Sequence, residues 1–133
     1  MSRPLTFYEF FAGGGMARLG LGEGWDCLFA NDFDPMKAAA YRANFGGDDL
    51  RVGDVWDLHP HDLPGRADLA WASSPCQDLS LAGARAGLSG GRAGLSGGRS
   101  SAFFGFWWLM EALAEQERPP RIVVIENVAG LFT

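Results

Sequence analysis

The residues of this sequence with the clearest chemical potential lie where a predicted strand ends. The apolar run at residues 68–72 leads into Ser73-Ser74 and then Pro75-Cys76-Gln77. In an open α/β sheet, ligands bind outside the carboxyl ends of the strands, and a thiol placed there is a candidate nucleophile. A lone cysteine is more often a small buried hydrophobic residue. Cys76 alone therefore does not decide between these interpretations, and the other strand ends have to be considered.

A glycine turn and three acidic residues also follow predicted strands. The turn, residues 13–15, lies between an aromatic strand and a short helix. Such a turn lets a ligand approach backbone N–H groups, although a tight strand-to-helix connection is the simpler interpretation. The acidic residues are Asp32, Asp54 and Glu126. Because unrelated polar residues would not all be expected at strand ends, the coincidence favours a ligand site.

Two of these acids have competing interpretations. Asp32 lies about 20 residues after the first glycine of the turn, where an acid can accept hydrogen bonds from ribose hydroxyls. Its alternative is a turn or helix-capping role, which we assign instead to Asp34, directly before Pro35. Asp54 could accept from an adenine amino group, although the residue taken by itself favours a role in a turn.

The order of the predicted elements indicates the fold. Strands alternate with helices, which predicts an α/β protein with a doubly wound, mostly parallel five-stranded sheet. The strands are predicted at residues 5–11, 26–31, 51–55, 68–72 and 121–126, and the helices at 16–21, 36–44 and 102–116.

Composition and charge limit the function classes. The chain has 133 residues, enough for one domain with its own core. Its formal net charge of -5 argues against a self-sufficient nucleic-acid binder, but not against a catalytic part whose DNA contacts lie elsewhere. Cys27 lies in a strand-like apolar run and is expected in the core. His59 and His61 flank a proline in an acidic loop, where solvated side chains are commoner than metal ligands, so no metal site is expected.

The termini and apolar runs show no sign of a membrane protein. The start of the chain lacks a signal-peptide pattern, and no apolar stretch is long enough to span a bilayer. We therefore expect a cytoplasmic, reducing setting, which suits a free thiol.

Residues 82–101 are rich in glycine and serine and contain a perfect tandem repeat. The segment AGLSGGR occupies residues 86–92 and again 93–99. Its composition predicts a flexible loop, and long loops in compact domains are often lids.

Taken together, these motifs resemble the N-terminal catalytic half of the DNA (cytosine-5) methyltransferases. The matching pieces are Phe11-Ala12-Gly13-Gly14-Gly15, Asn31-Asp32, Gly53-Asp54-Val55, Ser74-Pro75-Cys76-Gln77, residues 99–104 and Glu126-Asn127-Val128. They follow in order along almost the whole chain. Pro-Cys-Gln combined with Glu-Asn-Val is highly specific, whereas the glycine turn is shared by many methyltransferases.

The resemblance implies S-adenosylmethionine as cofactor and a truncated version of the Rossmann-like fold of enzymes that use it. Asp32 is then expected to bind the ribose hydroxyls, Phe33 to lie against the adenine, and Asp54 with Val55 to contact the adenine edge. The other cofactor-binding residues implied are Phe11, Ala12, Gly13, Gly15 and Pro75.

The resemblance also implies a reaction at a cytosine flipped out of duplex DNA. The Cys76 thiolate would add to carbon 6 of the base, and Glu126 would hold the ring nitrogen N3 and the exocyclic amine. Residues 82–101 resemble the family's catalytic loop, from which Arg99 or Arg92 would assist. One copy of AGLSGGR suffices for that loop, so the second is interpreted as an insertion. The substrate-binding residues implied are Gln77, Ser80 and Asn127.

We expect residues 1–133 to be the N-terminal part of a methyltransferase catalytic domain that lacks a target recognition domain. DNA and a complementary C-terminal half are the expected partners. Two alternatives remain: a non-catalytic remnant that binds cofactor or docks a partner, and an enzyme acting on tRNA cytosine. The presence of both Cys76 and Glu126 favours retained chemistry.

Overall fold

The structure, a computed structural model, describes residues 3–74 and 102–126. The described strands are β1 (Leu5–Phe10), β2 (Trp25–Asp32), β3 (Leu50–Val52), β4 (Leu69–Ser73) and β5 (Ile122–Glu126). The helices are α1 (Met16–Leu21), α2 (Pro35–Phe45) and α3 (Ala102–Glu115), and short 3-10 turns cover Val55–Asp57 and Pro60–Asp62. Within these two ranges, no helix combines the length and the apolar character that a bilayer crossing requires.

The five strands form one sheet in the order β3-β2-β1-β4-β5, and every pair is parallel. This confirms the α/β fold and the five-stranded sheet predicted from the sequence. The chain moves outward from β1 in one direction to β3 and then crosses to β4 on the other side. The strand order therefore reverses between β1 and β4, and such a reversal is where open α/β sheets bind ligands.

Two hydrophobic clusters cover the two faces of the sheet. Side chains alternate along β1, so Tyr8 and Phe10 pack on the face covered by α3, while Phe7 packs with Tyr41 of α2 on the other. These side chains are fully buried, and each contributes roughly 1.5–3 kcal/mol of burial free energy. Phe106 of α3 stacks edge-on against Phe10 with ring centroids 4.9 Å apart.

Most predicted boundaries agree with the structure to within one or two residues, and the third strand is the exception. The prediction extended β3 to Val55, but the strand ends at Val52 and Val55 begins a 3-10 turn. Gly53 has a backbone φ of +152°, and the Asp54 side chain accepts a hydrogen bond from the Trp56 N–H at 2.9 Å. That local bond stabilises the turn in place of a longer sheet ladder.

Candidate functional site

The glycine turn leaves the central strand through left-handed backbone. Phe11, directly after β1, has φ +57°, and Gly13 and Gly15 have φ +56° and +89°. A left-handed non-glycine residue costs roughly 1–3 kcal/mol and is commonest at functional sites. The Ala12 N–H donates to the Asn31 carbonyl at 3.0 Å, which holds the start of the turn against the end of β2.

The glycines of the turn serve different purposes. A Cβ at Gly15 would lie 2.4 Å from Cε2 of Phe45, so close packing against α2 requires glycine there. A Cβ at Gly13 would meet nothing within 4 Å. Gly13 therefore leaves open space beside its backbone, as a turn that admits a ligand needs. Gly15 instead allows the turn to pack closely against Phe45 of α2.

Asp32 ties the end of β2 to the glycine turn. Its side chain is 8% exposed, Oδ1 accepts from the Gly13 N–H at 3.2 Å, and Oδ2 accepts from the Asp34 N–H at 3.0 Å. Each carboxylate oxygen has a second lone pair, so both can accept a further bond from a ligand. Asp34 caps α2 by accepting from the Met36 N–H at 2.8 Å, which confirms its predicted capping role.

A cavity of about 530 Å³ opens at the ends of β2 and β3; we call it the β2 cavity. This volume lies in the range of small-molecule sites. Its lining includes Phe11, Asp32, Phe33, Lys37, Asp54 and Val55. Phe33 is 71% exposed, which leaves the face of an aromatic ring available to a flat ligand.

A second cavity of about 720 Å³ lies beside the glycine turn; we call it the glycine-turn cavity. Its lining includes Glu9, Ala12, Gly13, Lys37, Ser73 and Glu126. Phe11, Gly13, Lys37 and Ser73 line both cavities. The two spaces therefore adjoin, and one extended ligand can occupy both.

Glu9 is a functional candidate that the sequence analysis missed. It is only 1% exposed, it lies on the central strand, and its Oε1 has no hydrogen-bond partner in the described structure. Burial raises the pKa of Glu9 to about 7, although the backbone N–H groups of Ala17 and Arg18 and the Arg18 charge oppose the rise. The only sequence signal was an acid inside an otherwise apolar strand.

Glu126 lies at the same sheet edge as the cavities. The pairing of β4 with β5 places it opposite Ser73, and Ser73 Oγ accepts from Trp71 Nε1 at 3.0 Å. Because β4 precedes Pro75-Cys76 in the chain, this pairing places the backbone of Glu126 beside the strand that leads to the cysteine. Glu126 is exposed and lines the glycine-turn cavity.

Part of the predicted site lies among the described residues. Asp32, Phe33, Asp54 and Val55 share the β2 cavity with Phe11, whereas Gly15 lines neither cavity. Several predicted residues lie outside the described ranges, as does the whole 82–101 segment. They are Pro75, Cys76, Gln77, Ser80, Arg92, Arg99 and Asn127.

The site is acidic. Asp32, Asp34 and Asp54 line one cavity, and Glu9 and Glu126 line the other. Within residues 3–74 and 102–126, no group of acids, histidines and cysteines is arranged to hold a metal ion. The rings of His59 and His61 stack on each other, with centroids 5.4 Å apart.

An all-parallel sheet with a glycine turn after β1, an acid at the end of β2 and another after β3 is an arrangement typical of nucleotide-binding α/β folds. The chain belongs to the C-5 cytosine-specific DNA methylase family, which it matches over residues 5–133. The family expected from the sequence motifs is thereby confirmed.

Curated relatives include type II methyltransferases from bacteria. M.BsuFI of Bacillus subtilis is 31% identical over 97% of this chain and 28% of its own length. M.HpaII of Haemophilus parainfluenzae is 32% identical over 98% of this chain and 33% of its own. The chain thus spans about a third of the length of the relatives it matches.

Solved structures confirm the fold. The S. pombe Dnmt2 methyltransferase aligns with a TM-score of 0.65 and 23% identity, over 95% of this chain and 34% of the other. A DNMT2 mutant from Spodoptera frugiperda aligns with a TM-score of 0.64 and 19% identity, over 96% of this chain and 37% of the other. Both comparisons support the Rossmann-like arrangement predicted from the sequence.

Proposed function

We propose that this chain is the cofactor-binding and nucleophile-bearing part of an enzyme that methylates carbon 5 of cytosine in DNA. The observation that carries the proposal is a pair of adjoining acidic cavities. They lie where the strand order of the sheet reverses, in a chain that belongs to this family. S-adenosylmethionine supplies a methyl group on a sulfonium centre, which is activated for transfer to a carbon nucleophile.

The residues of the β2 cavity fit an adenosine. Asp32 has lone pairs available for two ribose hydroxyls, and Phe33 presents an exposed ring to the adenine. Asp54 and Val55, held by the 3-10 turn, lie where the edge of the base would be read. Phe11, Ala12, Gly13 and Pro75 would complete the cofactor contacts, and Gly15 would act by holding the turn.

Carbon 5 of cytosine is a poor nucleophile and has to be activated. We assign this step to Cys76, whose thiolate would add to carbon 6 and make carbon 5 electron-rich. Glu126 would hold N3 and the exocyclic amine and so offset the charge that develops as the thiolate adds. Carbon 5 would then attack the sulfonium methyl group, with S-adenosylhomocysteine as the leaving group. Removal of the carbon 5 proton by a base and elimination of the thiolate would complete the turnover. Arg99, Gln77, Ser80 and Asn127 would assist around the base.

The net negative charge of the chain is consistent with DNA contacts that are made by another part of the enzyme. Phosphate contacts supply much of the affinity of DNA-binding proteins, yet this chain carries a net charge of -5. We therefore assign sequence recognition and much of the phosphate binding to a complementary C-terminal part. This chain would contribute the cofactor site, the nucleophile Cys76 and the carboxylate of Glu126.

A covalent trapping experiment tests the reaction. The full enzyme, with a complementary half supplied, is expected to form a stable adduct with DNA carrying 5-fluorocytosine, because fluorine blocks the final elimination. Cys76→Ser is expected to abolish the adduct. An adduct that persists in this variant would exclude Cys76 as the nucleophile, and trapping of tRNA but not DNA would reassign the substrate.

Cys27→Ser is the matched control. Cys27 is buried, its Sγ lies 3.6 Å from the Tyr41 hydroxyl, and burial raises its pKa to about 11. Because the Cys27 thiol is buried and burial disfavours its thiolate, Cys27 is not a candidate for the nucleophile. Cys27→Ser is expected to leave the adduct intact.

A further inference from the structure

The helix α3 contains one glycine, and that glycine faces the Val55–Asp57 turn. Gly105, the fourth residue of α3, is buried and is the only glycine of this helix. A Cβ built on it would lie 2.9 Å from Cγ1 of Val55 and 3.0 Å from Cδ2 of Trp56. Glycine is among the least favourable residues within a helix, so its presence there indicates a packing reason. The close approach of the turn to α3 supplies that reason.

The turn that packs on Gly105 carries two residues of the β2 cavity. Asp54 and Val55 both line that cavity, and Val55 also faces Gly105. The Asp54 carboxylate accepts from the Trp56 N–H at 2.9 Å, and the Asp54 carbonyl accepts from the Asp57 N–H at 3.0 Å. These two bonds tie Asp54 to the residues that lie against α3. A displacement of Val55 and Trp56 would therefore move the Asp54 carboxylate as well.

Packing on its other sides holds α3 in place. Phe106, the next residue of the helix, is fully buried and packs against Phe10 of β1 with ring centroids 4.9 Å apart. Leu109 and Leu113, one and two turns further along, are also fully buried. Because close-packed cores resist displacement, a methyl group added at Gly105 would shift the short turn rather than the helix.

We propose that Gly105 is a positioning residue that sets the base specificity of the β2 cavity. Because it carries no side chain, the turn can approach α3, and this approach fixes where the Asp54 carboxylate lies at the cavity wall. A carboxylate only accepts hydrogen bonds, so at that place it favours a base with an amino group over one with a carbonyl group. The inference rests on the proposed function and adds a residue that lines neither cavity.

Two ligands that differ in the base test this assignment by calorimetric titration of the full chain. S-adenosylhomocysteine carries an amino group at carbon 6 of the base, and S-inosylhomocysteine carries a carbonyl oxygen there. Wild-type protein is expected to prefer the adenosyl ligand about tenfold to a hundredfold, because the inosyl ligand sets its carbonyl oxygen against the carboxylate. Gly105→Ala is expected to bind the adenosyl ligand about five- to tenfold more weakly and the inosyl ligand within about twofold.

Two control variants separate this effect from a loss of stability. Leu113→Val removes a buried methylene group from the far end of α3 and should destabilise the protein without changing the base preference. Gly24→Ala adds a methyl group to an exposed glycine with no neighbour within 4 Å and should change neither property. Thermal unfolding followed by circular dichroism measures the stability of each variant.

Removing the atom that the new methyl group meets should restore part of the preference. Val55→Ala deletes Cγ1, so the double variant Gly105→Ala with Val55→Ala is expected to show a preference between those of the two single variants. The recovery is partial, because Trp56 Cδ2 would still lie 3.0 Å from the added group. If Gly105→Ala alone does not fold, the double variant is compared with Val55→Ala, and equal preferences in these two would overturn the inference.

The outcomes distinguish a failure of this inference from a failure of the proposed function. Gly105→Ala protein that keeps the wild-type preference, or that binds both ligands more weakly by the same factor, would overturn the role of Gly105. Wild-type protein that binds the two ligands equally would overturn it as well, and would leave the cofactor site in place. Wild-type protein that binds neither ligand would instead overturn the proposed function, and the inference with it.

Discussion

Replacing Glu9 by glutamine is expected to change how the stability of the protein depends on pH. Glutamine keeps the shape of the side chain and removes the ionisation. In the folded protein, burial raises the pKa of Glu9 from 4.5 to about 7, which corresponds to about 3 kcal/mol at about 1.4 kcal/mol per pH unit. The folded state holds this proton more tightly than the unfolded state. The stability linked to Glu9 is therefore fully present below pH 4.5 and is lost as the pH rises through 7.

Urea unfolding of the chain without ligand at several pH values measures the effect. Between pH 5 and pH 8, wild-type protein is expected to lose about 2 kcal/mol more unfolding free energy than Glu9→Gln, a large share of a typical domain stability. Other titrating groups are the same in both proteins and cancel in the difference. Parallel stability curves for the two proteins would refute the account of Glu9 as a buried acid whose pKa is raised by burial.

Two further predictions compare a glycine that packs closely against a neighbour with a glycine that faces open space. Gly15→Ala is expected to destabilise the protein by about 3 kcal/mol, because the added methyl group overlaps the Phe45 ring and φ is +89°. Gly13→Ala, with open space, should cost only about 1 kcal/mol of backbone strain, and similar losses would contradict the packing argument. Gly105→Ala should cost about 1–2 kcal/mol in thermal unfolding, since its Cβ would lie 2.9 Å from Val55 Cγ1. Gly20→Ala, with no neighbour within 4 Å, should be neutral or stabilising, and a gain at Gly105 would show that α3 can shift.

The parts of the fold that local chemistry determines could be predicted from the sequence. The alternation of apolar strands and helices was sufficient for the five-stranded sheet, and the Asp34-Pro35 pair marked the start of α2. Asp54 shows the limit of this reasoning. Its side chain forms a local bond to Trp56 that ends the strand early, and nothing in the β-branched pattern around it indicated which interaction would dominate.

The parts of the site that depend on packing could not be predicted in this way. Glu9 became a candidate only when the structure showed it buried on the central strand with an oxygen left unpaired. The sequence likewise could not distinguish Gly13, which opens toward the cavity, from Gly15, which packs against Phe45. Such distinctions arise from contacts between residues far apart in the chain. Asp32, Phe33, Asp54 and Val55, to which the motif resemblance assigns one ligand, line one cavity, and their binding role stays a prediction.

The central claim, that the strand ends form a site for S-adenosylmethionine, is tested most directly by calorimetric titration of wild-type protein and Asp32→Ala. Wild-type protein is expected to bind one molecule of S-adenosylmethionine. Asp32→Ala is expected to weaken binding by about tenfold to a hundredfold, because charge-assisted bonds to the ribose hydroxyls are lost. Circular dichroism of the variant, compared with that of the wild type, would verify that the overall secondary structure is retained. Absence of binding to the wild type, or equal affinity in the two proteins, would contradict the account.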